Sequence, residues 1–185
     1  LVSGNYQIEE RTMLEVQFHG FEDRDVPDTV HALNDVILGR TALGRPVYIN
    51  VKIYGDLVGA IRSDAIIVST ATGSTGYSLS AGGPILDPRS RCIVVSPVAP
   101  HFAAAVPLVL PPDAVVNLSS AFDSQVVSSV DGQGQFALES TDAVTVRRSD
   151  HVARMIRFGH KPFFAEIGRK LAWLDDRRFS TEHGS

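Results

Sequence analysis

Residues 69–84 read STATGSTGYSLSAGGP: seven hydroxyl side chains, four glycines and one tyrosine in sixteen positions, with no lysine among them. Loops of this composition bring backbone N–H groups close to a phosphate or a sugar. The cation that usually accompanies phosphate is missing here. GxxxxGK[ST] fails for want of the lysine, GxGxxG is absent, and GSTG has the wrong spacing for the nucleophile elbow GxSxG. The remaining alternatives are a ligand site that offers backbone N–H groups to an electron-rich atom, and a structural turn that is small and polar.

The elements around this stretch are legible. DAIIVS (64–69) reads as a strand whose first residue, Asp64, needs a partner for its carboxylate. Ser69, Thr70 and Thr72 are N-cap types, and Gly82-Gly83-Pro84 is a helix stop, which leaves Ser74 to Ala81 for one short helix. Gly76 and the serines give it poor intrinsic propensity, so it needs tertiary support or a ligand. Its N-terminus would present free N–H groups to an electron-rich atom.

Most of the remaining chain is β-patterned. TMLEVQF (12–18) places Leu14, Val16 and Phe18 on one face, and VYINVKIY (47–54) places Val47, Ile49, Val51 and Ile53 inward. Gly55-Asp56 then LVGAI marks a hairpin. AIIVS, CIVVS, AVVNLS, QVVSSV, AVTVRR and ARMIRF follow as further short runs. This pattern predicts a mainly β, α+β fold: an antiparallel β-sandwich with one short helix in the glycine-rich stretch and one at the C-terminus. Seven of the ten prolines lie between Pro84 and Pro112, which predicts irregular connections around one central strand. Over the last residues Phe163, Phe164, Ile167, Leu171 and Leu174 recur at helical spacing behind Pro162, predicting an amphipathic helix. The division expected is a sandwich over 1–160 and a helix and tail over 161–185 that packs on this domain or another.

Composition narrows the function classes. A net charge of −4, with 14 arginines and 3 lysines, offers no basic stripe for nucleic acid. No apolar run is long enough for a membrane span, and the first residues lack a signal-peptide pattern, so a cytoplasmic protein is expected. The lone Cys92 excludes an intrachain disulfide and reads as a strand thiol rather than a reactive one. His19, His31, His101, His151, His160 and His183 show no metal-ligand spacing, so no protein-bound metal is expected.

ATGSTGYSLSAGGPIL resembles the signature of the NAD kinases, usually TPTGSTAYSLSAGGPI. GNYQIEERTML (4–14), ALNDVIL (32–38), RSDAIIVST (62–70), SPVAPHF (96–102) and SSVDGQ (128–133) resemble further family segments in the same order. The resemblance covers nearly the whole chain. It implies phosphoryl transfer from ATP, or from polyphosphate, to the 2′-hydroxyl of the adenosine ribose of NAD, giving NADP, with Mg2+ accompanying ATP. It also implies a homodimer or homotetramer with sites shared between subunits.

By that resemblance Asn34 meets the adenine edge and Asp35 the ribose hydroxyls, Thr75 bonds the adenine, and Tyr77 lines or stacks on it. Thr72, Gly76 and Ser80 support these contacts, Thr72 and Ser80 being equally explained as cap or packing residues, and Asp64 serves the nicotinamide end from a neighbouring subunit, or else makes a structural hydrogen bond. His101, Asp131 and Gln133 are further candidates, Asp131-Gly132 being equally explained as a hairpin turn. Three residues depart from the pattern: Ala71 stands for proline, Gly76 for alanine and Asp35 for glutamate. The family's Gly-Gly-Asp-Gly motif, which carries the ATP-side contacts and the base, is not in these 185 residues. The expectation is therefore a C-terminal dinucleotide-binding domain without its own catalytic residues, inactive alone. A non-catalytic dinucleotide-binding module and a lipid kinase of the diacylglycerol kinase type are the alternatives.

Overall fold

The computed structural model describes residues 6–21, 24–41, 45–101, 105–122, 124–159, 163–164 and 166–168. The chain divides into two compact units, Glu10–Ala153 and the paired chain ends Leu1–Glu9 with Arg154–Ser185.

The larger unit is the expected sandwich. Its strands are β1 (Tyr6–His19), β2 (Thr29–Ala32), β3 (Asp35–Arg40), β4 (Val47–Ile53), β5 (Asp56–Ser63), β6 (Ala65–Ser69), β7 (Ile93–Val98), β8 (Leu108–Leu110), β9 (Val115–Ala121), β10 (Val126–Val130), β11 (Gln133–Leu138) and β12 (Ala143–Phe158); β1 and β12 also contribute residues to the smaller unit. One six-stranded sheet runs β2-β1-β12-β9-β4-β5, the other β11-β10-β3-β6-β7-β8. Between them lies one apolar core, filled mainly by alternate residues of the inner strands: Leu14, Val16, Val36, Leu38, Ile49, Val51, Ile66, Val68, Ile93 and Leu118 are among its buried members. The alternation read in 12–18 and 47–53 is this inward face. Tyr54 (φ 53°) and Gly55 (φ 89°) make the β4–β5 hairpin turn with both central residues in the left-handed region, the geometry that matches strand twist.

Three expectations need adjusting. AVTVRR and ARMIRF are not two strands but one, β12, because the ladder continues through Ser149-Asp150-His151. Asp64 lies in the bend before β6 rather than on the strand. The single short helix is a 3-10 turn at Gly73–Thr75 followed by α1 (Tyr77–Ser80), the break falling at Gly76 (φ −100°, ψ −128°).

In the smaller unit Arg157 pairs with Glu9 at 3.0 Å between the ends of β12 and β1. Residues 163–164 and 166–168 are helical. Pro162, Leu171 and Leu174 of the expected amphipathic helix lie outside the described residues.

Candidate functional site

The register of the second sheet determines which candidates meet. β3 pairs with β6 so that Asp35 faces Ser69 and Gly39 faces Ala65, and β10 pairs with β3 so that Val130 faces Val36. The start of β3, the end of β6 and the end of β10 therefore share one end of the sheet. Because Val36, Leu38, Ile66, Val68, Ile93 and Val95 point into the core, Asp35, Ile67, Ser69, Val94 and Ser96 must point to the outer face. That outer face is covered too: Ile67, Ser69, Val94 and Ser96 are fully buried. The glycine-rich segment crosses it, with Ser78 Oγ 3.0 Å from Ser96 Oγ.

Two close approaches fix this segment. A Cβ on Gly73 would sit 2.1 Å from the Asn34 carbonyl oxygen and 2.9 Å from its Cα, so only glycine lets the turn lie against the Asn34 backbone. Around that contact the Thr70 N–H donates to Asn34 O at 2.9 Å, the Thr70 hydroxyl to Leu33 O at 2.7 Å, and the Gly73 N–H to Thr70 Oγ1 at 3.1 Å. At the other end a Cβ on Gly83 would meet Ser78 Oγ at 2.4 Å and Ser96 Oγ at 2.8 Å. Ser74 braces the interior, donating to Ala71 O at 2.7 Å and accepting from the Leu86 N–H at 3.0 Å. The weak helix is thus held by hydroxyl-to-backbone bonds, which explains the density of serine and threonine.

Asp131 holds the facing wall. It occupies the β10–β11 turn in the left-handed region (φ 49°), so the hairpin reading of Asp131-Gly132 is correct as geometry. Its carboxylate does more than close the turn: it accepts from the backbone N–H groups of Leu33 (2.7 Å), Asn34 (2.7 Å) and Asp35 (3.0 Å). This nest presets the Asn34–Asp35 pair. Beside it a pocket of about 250 Å3 is lined by His31, Asp131, Gln133, Gly134 and Phe136.

Asp35 is only 8% exposed, yet its carboxylate accepts no hydrogen bond from the described residues. Burial, and secondarily the Asp131 charge, raise its pKa above the ordinary aspartate value. The half-buried Asn34 amide is likewise without a partner among the described residues. With no partner among the described residues, the carboxylate and the amide are side by side and available to a ligand that brings hydroxyls and a base edge. Thr75, Gly76, Tyr77 and Ser80 are exposed on the free side of the segment, and Thr72 is half-buried at its start. The Thr75 hydroxyl donates to Thr72 O at 3.2 Å. Tyr77, 45% exposed, is not a packed core tyrosine, and its ring is open to stacking.

Asp64 and His101 do not join this cluster. Asp64 is paired with Arg40 (3.1 Å), and Arg40 ends the strand that Asp35 begins, about 16 Å away at ordinary strand rise. The exposed His101 is on that distal side too, its N–H donating to Arg62 O at 3.0 Å. Among the described residues no group of three His, Cys, Asp or Glu side chains is placed to hold a metal ion. Gly73, the structural role of Asp131 and the Arg40 partner went unrecognised in the sequence. Only Gly73, as the first glycine of the signature, carried any signal there.

A sequence profile described as the ATP-NAD kinase C-terminal domain matches residues 33–158, from the Asn34–Asp35 turn to the end of β12. The chain belongs to this family. Curated NAD kinases from Syntrophotalea carbinolica and Citrifermentans bemidjiense are 36% and 37% identical to it over 94% and 93% of its length. The chain spans 60% of each of those proteins. Among solved structures, yeast NADH kinase complexed with NADH superposes with a TM-score of 0.81 at 27% identity, over 92% of this chain and 50% of that one. An NAD kinase from Archaeoglobus fulgidus in complex with ATP gives 0.69 at 26% identity, over 82% of this chain and 55% of that one. The resemblance read from the signature and the β-sandwich expected with it are both borne out. The departures from the family pattern fit locally: Ala71 is buried, and at Gly76 an alanine Cβ would lie 3.3 Å from the Gly73 carbonyl, tight but admissible.

Proposed function

We propose that this chain is the dinucleotide-holding part of an NAD kinase, which transfers the γ-phosphoryl group of ATP or polyphosphate to the 2′-hydroxyl of NAD's adenosine ribose. The observation that carries the reading is that the Asp35 carboxylate and the Asn34 amide are side by side with no partner among the described residues, on backbone held by Asp131. Asp35 accepts from the ribose hydroxyls, Asn34 pairs with the adenine edge, and Thr75 and Tyr77 close over the base from the signature segment, with Thr72, Gly76 and Ser80 around them. In the reaction the 2′-oxygen attacks the γ-phosphorus, the bond to the β,γ-bridging oxygen breaks, and the hydroxyl proton leaves to a base outside these residues. Phosphoryl transfer of this kind is mostly positioning and charge neutralisation. Mg2+ would accompany ATP on its phosphates and neutralise their charge there, and no step of this chain runs through it.

The separation of Asp64 from Asp35 supports a second element of the reading: Asp64, with Arg40, serves the nicotinamide end of a neighbouring subunit's site in a homodimer or homotetramer. No helix among the described residues is long and apolar enough to cross a membrane, and a cytoplasmic enzyme with neither nucleic-acid nor membrane partners fits the composition. NADP formation, with ATP and polyphosphate supplied separately, tests the proposal on the intact protein and on the isolated 185 residues. The intact protein turns over, while the isolated chain is at least about 10³-fold slower, because the ATP-side positioning and the base are missing. An intact protein that binds NAD without forming NADP would instead make this a binding module.

A further inference from the structure

Ser69 ends β6 with its hydroxyl fully buried and without a hydrogen-bond partner. Its place in the ladder is informative. The Thr70 N–H donates to Asn34 O, and the Arg40 N–H to Asp64 O, so both pairs, 34 with 70 and 40 with 64, are of the hydrogen-bonded type. The alternation of an antiparallel ladder then makes Asp35–Ser69 a non-hydrogen-bonded pair, the type in which facing side chains approach most closely. Both side chains point to the outer face, under the signature segment. Among the described residues one is a donor without an acceptor and the other an acceptor without a donor. A stranded buried hydroxyl costs stability.

We infer that Ser69 is a positioning residue of the dinucleotide site, donating its hydroxyl to the Asp35 carboxylate when the ribose engages it. The hydroxyl fixes one carboxylate oxygen, aims the other at the ribose, and stabilises the ionised form that accepts the ribose hydrogen bond. Asp131 is the charged group acting on Asp35. The facing stretches 33–38, 69–83 and 126–131 hold no other titratable side chain than Tyr77. The inference rests on the proposed dinucleotide reading of this site.

The test is calorimetric titration of NAD into the intact protein across pH 5 to 8, for wild type, Ser69→Ala, Ser69→Cys and Ser128→Ala. Ser128 is equally buried and unpartnered but lies in the same sheet on β10, directly opposite the core residue Leu38, and so serves as the control. Expected are an NAD affinity about tenfold weaker in Ser69→Ala, an acid limb of binding moved to higher pH, and no loss of thermal stability. Ser69→Cys, with similar shape and a weaker donor, falls between, and Ser128→Ala binds as wild type. In an Asp35→Asn background Ser69→Ala has almost no further effect. Wild-type affinity and an unmoved acid limb in Ser69→Ala would overturn the role of Ser69 and leave the site standing. Wild-type protein that does not bind NAD would overturn the site itself.

Discussion

Replacing Gly73 by alanine perturbs the account at its tightest point. The new Cβ would start 2.1 Å from the Asn34 carbonyl oxygen, and 2.6 Å from its carbon, where ordinary contact begins at 3.4 Å. The 3-10 turn and the Asn34 backbone must therefore separate by about 1.3 Å, and both are main chain, with no side chain free to swing away. A shift of that size breaks the 2.9 Å bond from the Thr70 N–H to Asn34 O and disturbs the two Thr70 hydroxyl bonds beside it. One lost backbone bond costs about 1 kcal/mol and overpacking about 1–3 kcal/mol, so a loss of about 2–4 kcal/mol is expected. For a protein of this size or larger that lowers the unfolding midpoint by roughly 5–15 °C. Asn34 and Asp35 move with the backbone, so NAD affinity falls at least about tenfold even well below the new midpoint. Thermal unfolding and NAD calorimetry on the same Gly73→Ala preparation read both effects. An unchanged midpoint together with unchanged affinity would refute the claim that this contact holds the site.

Other perturbations separate holding from folding. Asp35→Asn should raise stability at neutral pH while weakening NAD binding, seen by unfolding and calorimetry on one sample. The sign follows from the raised pKa: the folded state keeps a proton the unfolded chain has released, so wild-type stability falls as pH rises from about 3.8 through the folded-state value, and the amide removes that loss. Asp131→Ala leaves three N–H groups without their charged acceptor and should cost about 2–4 kcal/mol in urea unfolding, with NAD affinity falling in parallel. Mixing inactive Asp64→Asn subunits with inactive Asn34→Ala subunits should restore part of the NADP-forming activity. No recovery, with subunit exchange verified, would confine Asp64 to its own subunit or to its Arg40 pair.

The sheet was legible where one face is wet and the other dry. Val47, Ile49 and Val51 alternate with polar or half-buried neighbours, and period two leaves no other reading. The signature was legible as the family's through its residue order, while its composition alone left a ligand site and a structural turn both open, and several of its small residues do brace the fold. What could not be read were relations across the ladder. Asp131 lies 98 residues from Leu33, and nothing local says that its carboxylate will cap the turn that carries the chain from β2 in one sheet to β3 in the other. Ser69 appeared as a helix-cap type, its usual local role, and only the register of β6 on β3 puts it against Asp35. The two-strand reading of 143–158 failed because Ser149-Asp150-His151 resembles a turn by composition, whereas the strand persists. Asp64 was expected to need a partner, and it has one; that the partner is Arg40, at the end of the sheet away from Asp35, again follows from register alone.

The central claim is that the Asn34–Asp35 turn holds the adenosine half of NAD. Calorimetric titration of NAD into the intact protein and its Asn34→Ala variant addresses it most directly, because the Asn34 amide has no partner among the described residues and its loss should leave the unfolding midpoint almost unchanged. The Asn34→Ala variant is expected to bind NAD more weakly by about 1–3 kcal/mol. Equal affinity in the two proteins would remove the turn from the site and contradict the account.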